Sequence, residues 1–340
     1  MSTKIARKLR SLKHNRTLLL LLTLLVTLAA QHTEANQKIP IVYSAFTGSY
    51  VPLWIAADLQ LAKKYGLELD LVFAGRVKPA QLLLSGQSSY MFNTGTGTVE
   101  SHVHGNKDFV IIGTIHQTTA VSIMSVPEIS RPQDLKGKVV GVGRIGSITD
   151  VLGRYALRTK LNLDPNSEVK VLPVGEPSSI LPALERRLIH AAVLTTPIRF
   201  IAKKIGYREL VNMDELSIEY PNAGITTLRD NIRKNPDQIR KLMRVLVESI
   251  YVFKKDKTTS MNVMKRYLKG TSDEILEDTY AYFSAVAQSV PYPSVGGVKT
   301  ILDILSAQYP QASKVETNEI VDGSFVKEIQ DSGFLTQLGK

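Results

Sequence analysis

Beyond residue 38, short apolar runs alternate with stretches whose apolar residues recur three and four positions apart. The runs at 39–43, 67–73, 89–92 and 109–115 predict strands, separated by helices over 51–64, from Arg76 through 84, and up to His104. Pro52 suits the first turn of the earliest helix, and Tyr65-Gly66 closes it. Strands at 121–126, 138–142, 168–174 and 190–194 repeat the rhythm, with helices from 148, over 177–187 and to 205. Such a β–loop–α order implies largely parallel sheets with right-handed crossovers. The prediction is an α/β fold of two βα lobes in series, each a mainly parallel sheet flanked by helices. Residues 219–227 read as extended, and 236–255, 258–268, 272–288 and 295–307 as helices. A terminal block without strands of its own packs on an earlier sheet, so the chain is expected to return to the first lobe.

In open α/β sheets, ligands sit beyond the carboxyl ends of the strands. Loops starting at Ser44, Gly75 and Asn93 leave three successive strand ends, and all three are rich in hydroxyls, amides or glycine. Taken singly, each is ordinary turn chemistry. Three at one rim favour binding, with Tyr50 close enough to the rim to line a pocket. In the second set, Gly175-Glu176-Pro177 and Thr195-Thr196 also fall at strand ends.

The segment from Val139 to Asp150 reads as a strand, a glycine-bearing turn and a helix start. Ser147 or Thr149 can accept a hydrogen bond from the free N–H groups of the helix that follows, and such a helix mouth suits a small anion. The spelling Gly141-x-Gly143-x-x-Gly146 also satisfies the dinucleotide fingerprint, with Asp164 and Glu168 about 20 residues on. Against that reading, Gly141 follows Lys138-Val139-Val140 so closely that it must lie inside the strand. A ligand-contacting turn is expected, a plain structural turn is the alternative, and no cofactor is called for.

Composition changes the picture at the N-terminus. Lys4, Arg7, Lys8, Arg10, Lys13 and Arg16 precede an apolar core over 18–30, and Thr33-Glu34-Ala35 offers small residues where a signal peptidase reads. Residues 1–35 are therefore expected to be a cleavable leader, cut after Ala35 or alternatively Ala30, that sends the chain to the periplasm as a monomer. With no cysteine, the chain has no lipoprotein anchor site, no disulfide and no thiolate chemistry. Removing the leader's six basic residues and one acid lowers the formal charge from +11 to +6, with 36 basic residues against 30 acidic. Because the excess is scattered, nucleic-acid binding is not expected. His102 and His104 point to different faces of a helix, His116 is expected to pack, and no metal pair is expected. No nucleophile elbow, His-Glu-x-x-His or Walker loop occurs.

Several stretches in order carry a family resemblance: 41–54, Lys63-Lys64-Tyr65-Gly66-Leu67, Asp134-Leu135-Lys136-Gly137-Lys138 with Val140-Gly141-Val142, and Pro291-Tyr292-Pro293-Ser294. Together they resemble solute-binding proteins of ABC importers, in the group that includes nitrate-, sulfonate-, taurine- and thiamine-precursor-binding proteins. The resemblance implies a two-lobed periplasmic-binding-protein fold of type II, with hinge crossings near 118–120 and 221–225. It implies a first lobe of 36–119 plus 222–340 and a second of 120–221. Ser44, Thr47, Gly75, Arg76, Asn93, Thr94 and Thr96 would then face Arg144, Ser147, Thr149, Glu176, Thr195 and Thr196 across a cleft. Arg76 and Arg144 are the candidate counter-charges for a small organic anion, a sulfonate, taurine-like molecule or carboxylate. The implied partners are a small-molecule ligand and the permease and ATPase subunits of an importer. Two alternatives stay open: a neutral heteroaromatic ligand held by Tyr50, Phe46 and hydroxyls, and an enzyme of related fold acting on a small carboxylate.

Overall fold

The computed structural model describes residues 36–75, 77–175 and 177–339. The expected leader, Arg76 and Glu176 lie outside the described residues. Ten strands form two five-stranded sheets: β1 (Gln37–Tyr43), β2 (Leu67–Phe73), β3 (Tyr90–Met91), β4 (Phe109–His116), β5 (Val121–Ser125), β6 (Val139–Val142), β7 (Lys170–Pro173), β8 (Ala191–Thr195), β9 (Arg208–Asn212) and β10 (Asn222–Leu228). The first sheet has the order β2-β1-β3-β10-β4 and the second β7-β6-β8-β5-β9.

The sheets are mainly parallel, as expected, and each also carries one strand that runs against both of its neighbours, β10 in the first and β5 in the second. β1 pairs parallel with β3, and β6 with β7 and β8. β10 runs antiparallel to β3 and β4, and β5 to β8 and β9. Parallel neighbours need a long crossover, usually a helix. β5 and β10 instead each arrive from the other sheet through a short connection, which sets their direction. β9 was not predicted, because it is a short edge strand whose alternation is largely polar.

The chain changes sheets twice. Residues 117–120 join β4 to β5, and residues 213–221 join β9 to β10. The second crossing therefore precedes the 221–225 expected, since Asn222–Leu228 is already β10. Ala120 at φ 52° and Ser217 at φ 50° put left-handed corners in these connections. Gly224 in β10 has φ 148°, and a Cβ there would overlap the Gly113 carbonyl oxygen of β4. Only glycine satisfies both constraints.

Helices α1 (Val51–Asp58), α2 (Pro79–Leu84) and α3 (Thr96–Val103) follow strands of the first sheet. Helices α4 (Ile148–Thr159), α5 (Pro177–Glu185) and α6 (Ile198–Lys204) follow strands of the second. The first helix is shorter than predicted, because Gln60 at φ 51° breaks it before a 3-10 turn at Leu61–Tyr65. The terminal block contains α7 (Arg229–Lys234), α8 (Pro236–Lys255), α9 (Lys257–Tyr267), α10 (Asp273–Val286), α11 (Val295–Ser306), α12 (Ser324–Asp331) and α13 (Phe334–Leu338). Its helices do return to the first sheet: Leu242, Ile250, Phe253, Met264 and Phe283 share a core with Ile41, Trp54 and Ile112. Trp54 stacks on Tyr267 of α9 with centroids 4.6 Å apart and planes 2° apart. α11 joins a different cluster, where Val298 and Ile301 meet Val99 of α3 and Ile111 of β4. That same cluster is the core of the other sheet, where it includes Ile123, Val140, Leu152, Leu184 and Val193.

Candidate functional site: the cleft between the sheets

The loops that leave β1, β3, β6, β7 and β8 meet around one cavity of about 620 Å³. Of the residues singled out from sequence, Ser44, Thr47, Tyr50, Asn93, Thr96, Arg144, Ser147, Thr149 and Thr195 line it. Gly75, Thr94 and Thr196 do not. Gly75 turns its carbonyl toward the cleft, where Arg144 Nη1 donates to it at 2.7 Å. Thr94 is wholly buried. Thr196 is also wholly buried, and its carbonyl accepts from the Thr47 hydroxyl at 2.8 Å. Arg76 and Glu176 are outside the described residues.

Two helix N-termini open on the cavity, neither with a side-chain bond from its N-cap residue, although Ser147 or Thr149 was expected to cap the helix that follows them. Ser147 is the N-cap of α4 but makes no side-chain capping bond. Thr149 Oγ1 accepts from the Gly143 N–H at 2.9 Å and pairs with Ser147 Oγ at 3.0 Å. Gly146, at φ 77°, folds the loop back so that its N–H donates to the Asp150 carboxylate at 2.9 Å. At the second mouth the N-cap of α3 is Gly95, which has no side chain to offer. There the Thr96 N–H donates to the Tyr220 hydroxyl at 3.3 Å, and the Thr96 and Tyr220 hydroxyls are 2.5 Å apart. First-turn N–H groups without side-chain caps are the donors that small anions seek.

Lys78 and Arg144 bring positive charge to the lining, and Glu100 brings negative charge. Arg144 spans the cleft, donating to Gly75 O and, through Nη2, to Ser44 O at 3.4 Å. A guanidinium carries five N–H donors, so these two bonds leave three for a ligand. Burial pushes the Tyr50 phenol up to about 12, against the opposing pull of the nearby Arg144 charge. It therefore faces the cavity as a neutral hydroxyl. Burial likewise raises Tyr220 to about 12. Phe46, 39% exposed, forms an aromatic wall with Phe73, Tyr43 and Trp54 at centroid distances of 4.8, 5.8 and 6.1 Å.

Sequence reasoning missed Lys78, Thr98, Glu100 and Tyr220 in the lining. Glu100 lies one helical turn beyond Thr96 on α3, and that spacing was an available signal; Thr98, two residues on, had none. Tyr220 stands in the second crossing, which has to border any interlobe cleft. The glycine motif at 141–146 resolves as packing followed by a turn: Gly141 lies inside β6, where a Cβ would come 2.5 Å from Ile189 Cδ1. A dinucleotide site requires its first glycine at the strand's end, which this arrangement does not provide. Among the described residues, no three His, Asp or Glu side chains group to hold a metal. His116 is wholly buried against Phe283 and is absent from the lining.

One sequence family, described as NMT1/THI5 like, matches residues 48–257 of the chain. The chain belongs to this family. No curated protein matches its sequence. Solved structures show what this NMT1/THI5-like chain is similar to in fold. A protein from Bordetella bronchiseptica RB50 superposes with a TM-score of 0.76 at 20% identity, covering 88% of this chain and 98% of that one. The alkanesulfonate-binding protein SsuA from Xanthomonas axonopodis pv. citri, bound to MOPS, gives 0.68 at 18% identity over 82% and 95%. The desulfurization enzyme DszB gives 0.65 at 15% identity over 86% and 99%. A two-lobed α/β architecture is thus common to a binding protein and an enzyme, and the fold alone does not separate those functions.

Proposed function

We propose that this NMT1/THI5-like chain is the extracytoplasmic solute-binding protein of an ABC importer, acting as a periplasmic monomer. It takes a small organic anion into the cleft and delivers it to a membrane permease powered by an ATPase. The ligand class is a sulfonate, taurine-like molecule or carboxylate, and the protein does not transform it. The lobes on this reading are 36–119 with 222–340, and 120–221. One observation carries the proposal: Arg144 and two helix N-termini whose N-cap residues make no side-chain bond converge on a single cavity lined from both sheets. The relationship in fold to SsuA supports the sulfonate class. A helix N-terminus contributes about 0.3–2 kcal/mol to a nearby anion, and a charge-assisted hydrogen bond about 1.5–3 kcal/mol.

The first test is a thermal-shift screen of the purified protein with MOPS, taurine, simple alkanesulfonates and short carboxylates. At 100 times its dissociation constant, a ligand adds about 2.7 kcal/mol. Arg144→Gln is then expected to weaken the best ligand about tenfold or more in calorimetry. Mass spectrometry is expected to return the ligand unchanged, whereas a product would point to an enzyme like DszB. A second reading, a neutral heteroaromatic ligand, draws on the aromatic wall at Phe46 and on the two Arg144 donors already held by carbonyls. It predicts that Arg144→Gln changes affinity less than about twofold while Phe46→Ala abolishes binding; a neutral ligand gains little from a guanidinium charge.

A further inference from the structure

A second polar cluster lies beside the cavity, at the crossings themselves. Asp214 sits in the crossing from β9 to β10, and its Oδ1 accepts from the Ala120 N–H at 2.9 Å and the Thr119 hydroxyl at 3.0 Å, both in the other crossing. Its Oδ2 is 2.8 Å from Nη2 of Arg199 on α6, whose side chain is only 4% exposed. Arg199 Nη1 also donates to Ser122 of β5 and Asn212 of β9, each at 3.2 Å. From the terminal block, Tyr282 of α10 lays its ring 4.9 Å from the Arg199 guanidinium and bonds Thr118 at 3.2 Å. One carboxylate therefore ties both crossings together, and one arginine anchors it to the second sheet under an aromatic face belonging to the first.

We propose that Asp214 and Arg199 form the pivot of the molecule, and that Tyr282 on Arg199 is the contact that opening of the cleft breaks. A buried cation is costly to leave unpaired, so the pair holds its place while the lobes turn about it. The two φ-positive corners, Ala120 and Ser217, lie within the connections the pivot joins. The same segment reaches the cavity, since Ala120, Thr195 and Ile198 are in its lining. These positioning residues thus govern how readily the cleft closes without touching what it holds. The inference rests on the interlobe reading of the cleft but not on the identity of its ligand.

Because the chain has no cysteine, an introduced pair reports the distance between lobes directly. Leu84→Cys on α2 and Leu188→Cys before β8 replace side chains that are 52% and 62% exposed. Spin labels at these sites give an interlobe distance distribution in ligand-free protein, so a chain that binds none of the solutes screened still tests the pivot. Tyr282→Leu removes the ring over Arg199 together with the bond to Thr118, and Thr119→Val removes one hydrogen bond to Asp214; neither strands a buried charge. Each is expected to raise the open-to-closed ratio about tenfold while the circular dichroism spectrum stays native. Asp214→Asn, which strands Arg199, is expected to broaden the distribution further. Distributions in Tyr282→Leu and Thr119→Val that match the wild type would overturn the proposal.

Discussion

His116 ends β4 with its imidazole wholly buried, and desolvation, reinforced by the charge of Lys254, holds its pKa down to about 3. In the unfolded chain the same ring titrates near its ordinary 6.5. Below that pH the unfolded state binds a proton that the folded state refuses, so stability is complete above 6.5 and falls as pH drops toward 3. The slope is about 1.4 kcal/mol per pH unit in that window. Replacing His116 with Asn is expected to flatten the acid side of the melting-temperature profile between pH 6.5 and 4.5, relative to wild type, in scanning calorimetry. At the same scale, the cleft shows how far local rules reach. Ser147 and Thr149 were legible as residues for a helix start, and they do stand there. Their bonds were not legible, because the partner of Thr149 is Gly143, brought near by the φ of Gly146. Tyr282 and Asp214 gave no local signal at all: their meaning depends on Arg199 and Thr119, which are distant in sequence.

Elements with a strong period were the most readable. α8 buries Ile239, Leu242, Met243, Leu246, Ile250 and Phe253 along one face, and the sequence spacing predicts that helix to its last residue. A short, largely polar strand was not: β9 offers one packed face at a sheet edge, whereas β3, which pairs through only two residues, does fall within the apolar run at 89–92. β10 owes its fit to one position. Gly224 adopts a positive φ beside a register shift between Ile225 and Thr226, and the Gly113 carbonyl oxygen occupies the place a Cβ would take. Gly224→Ala is expected to cost at least about 2 kcal/mol, from backbone strain together with steric overlap. A lowered urea midpoint with unchanged slope would show it. A change within about 0.5 kcal/mol, typical of surface substitutions, would mean that β10 shifts to relieve the overlap.

At the scale of the molecule, the basic and apolar leader and the interlobe cavity belong to one proposal, an exported protein that binds a solute. N-terminal sequencing of the protein recovered from the periplasm is expected to begin at Asn36, following cleavage after Ala35. A full-length chain held in salt-washed membranes would instead mean that the leader stays as an anchor. Two features of the architecture were written in the linear chain: the order of strands and helices, with loops of small and hydroxylated residues at the strand ends, and the absence of thiol chemistry. They follow from hydrophobic periodicity and residue type, which act over a few neighbouring positions. Only the tertiary structure decided which strands run antiparallel, that α11 packs with α3, and that Arg144 reaches over the cleft to Gly75 and Ser44. It also decided that Asp214 joins two crossings nearly a hundred residues apart in the chain. The reason is physical: each of these depends on two segments closing a long loop and burying surface together, and sequence separation carries no record of which pair will meet.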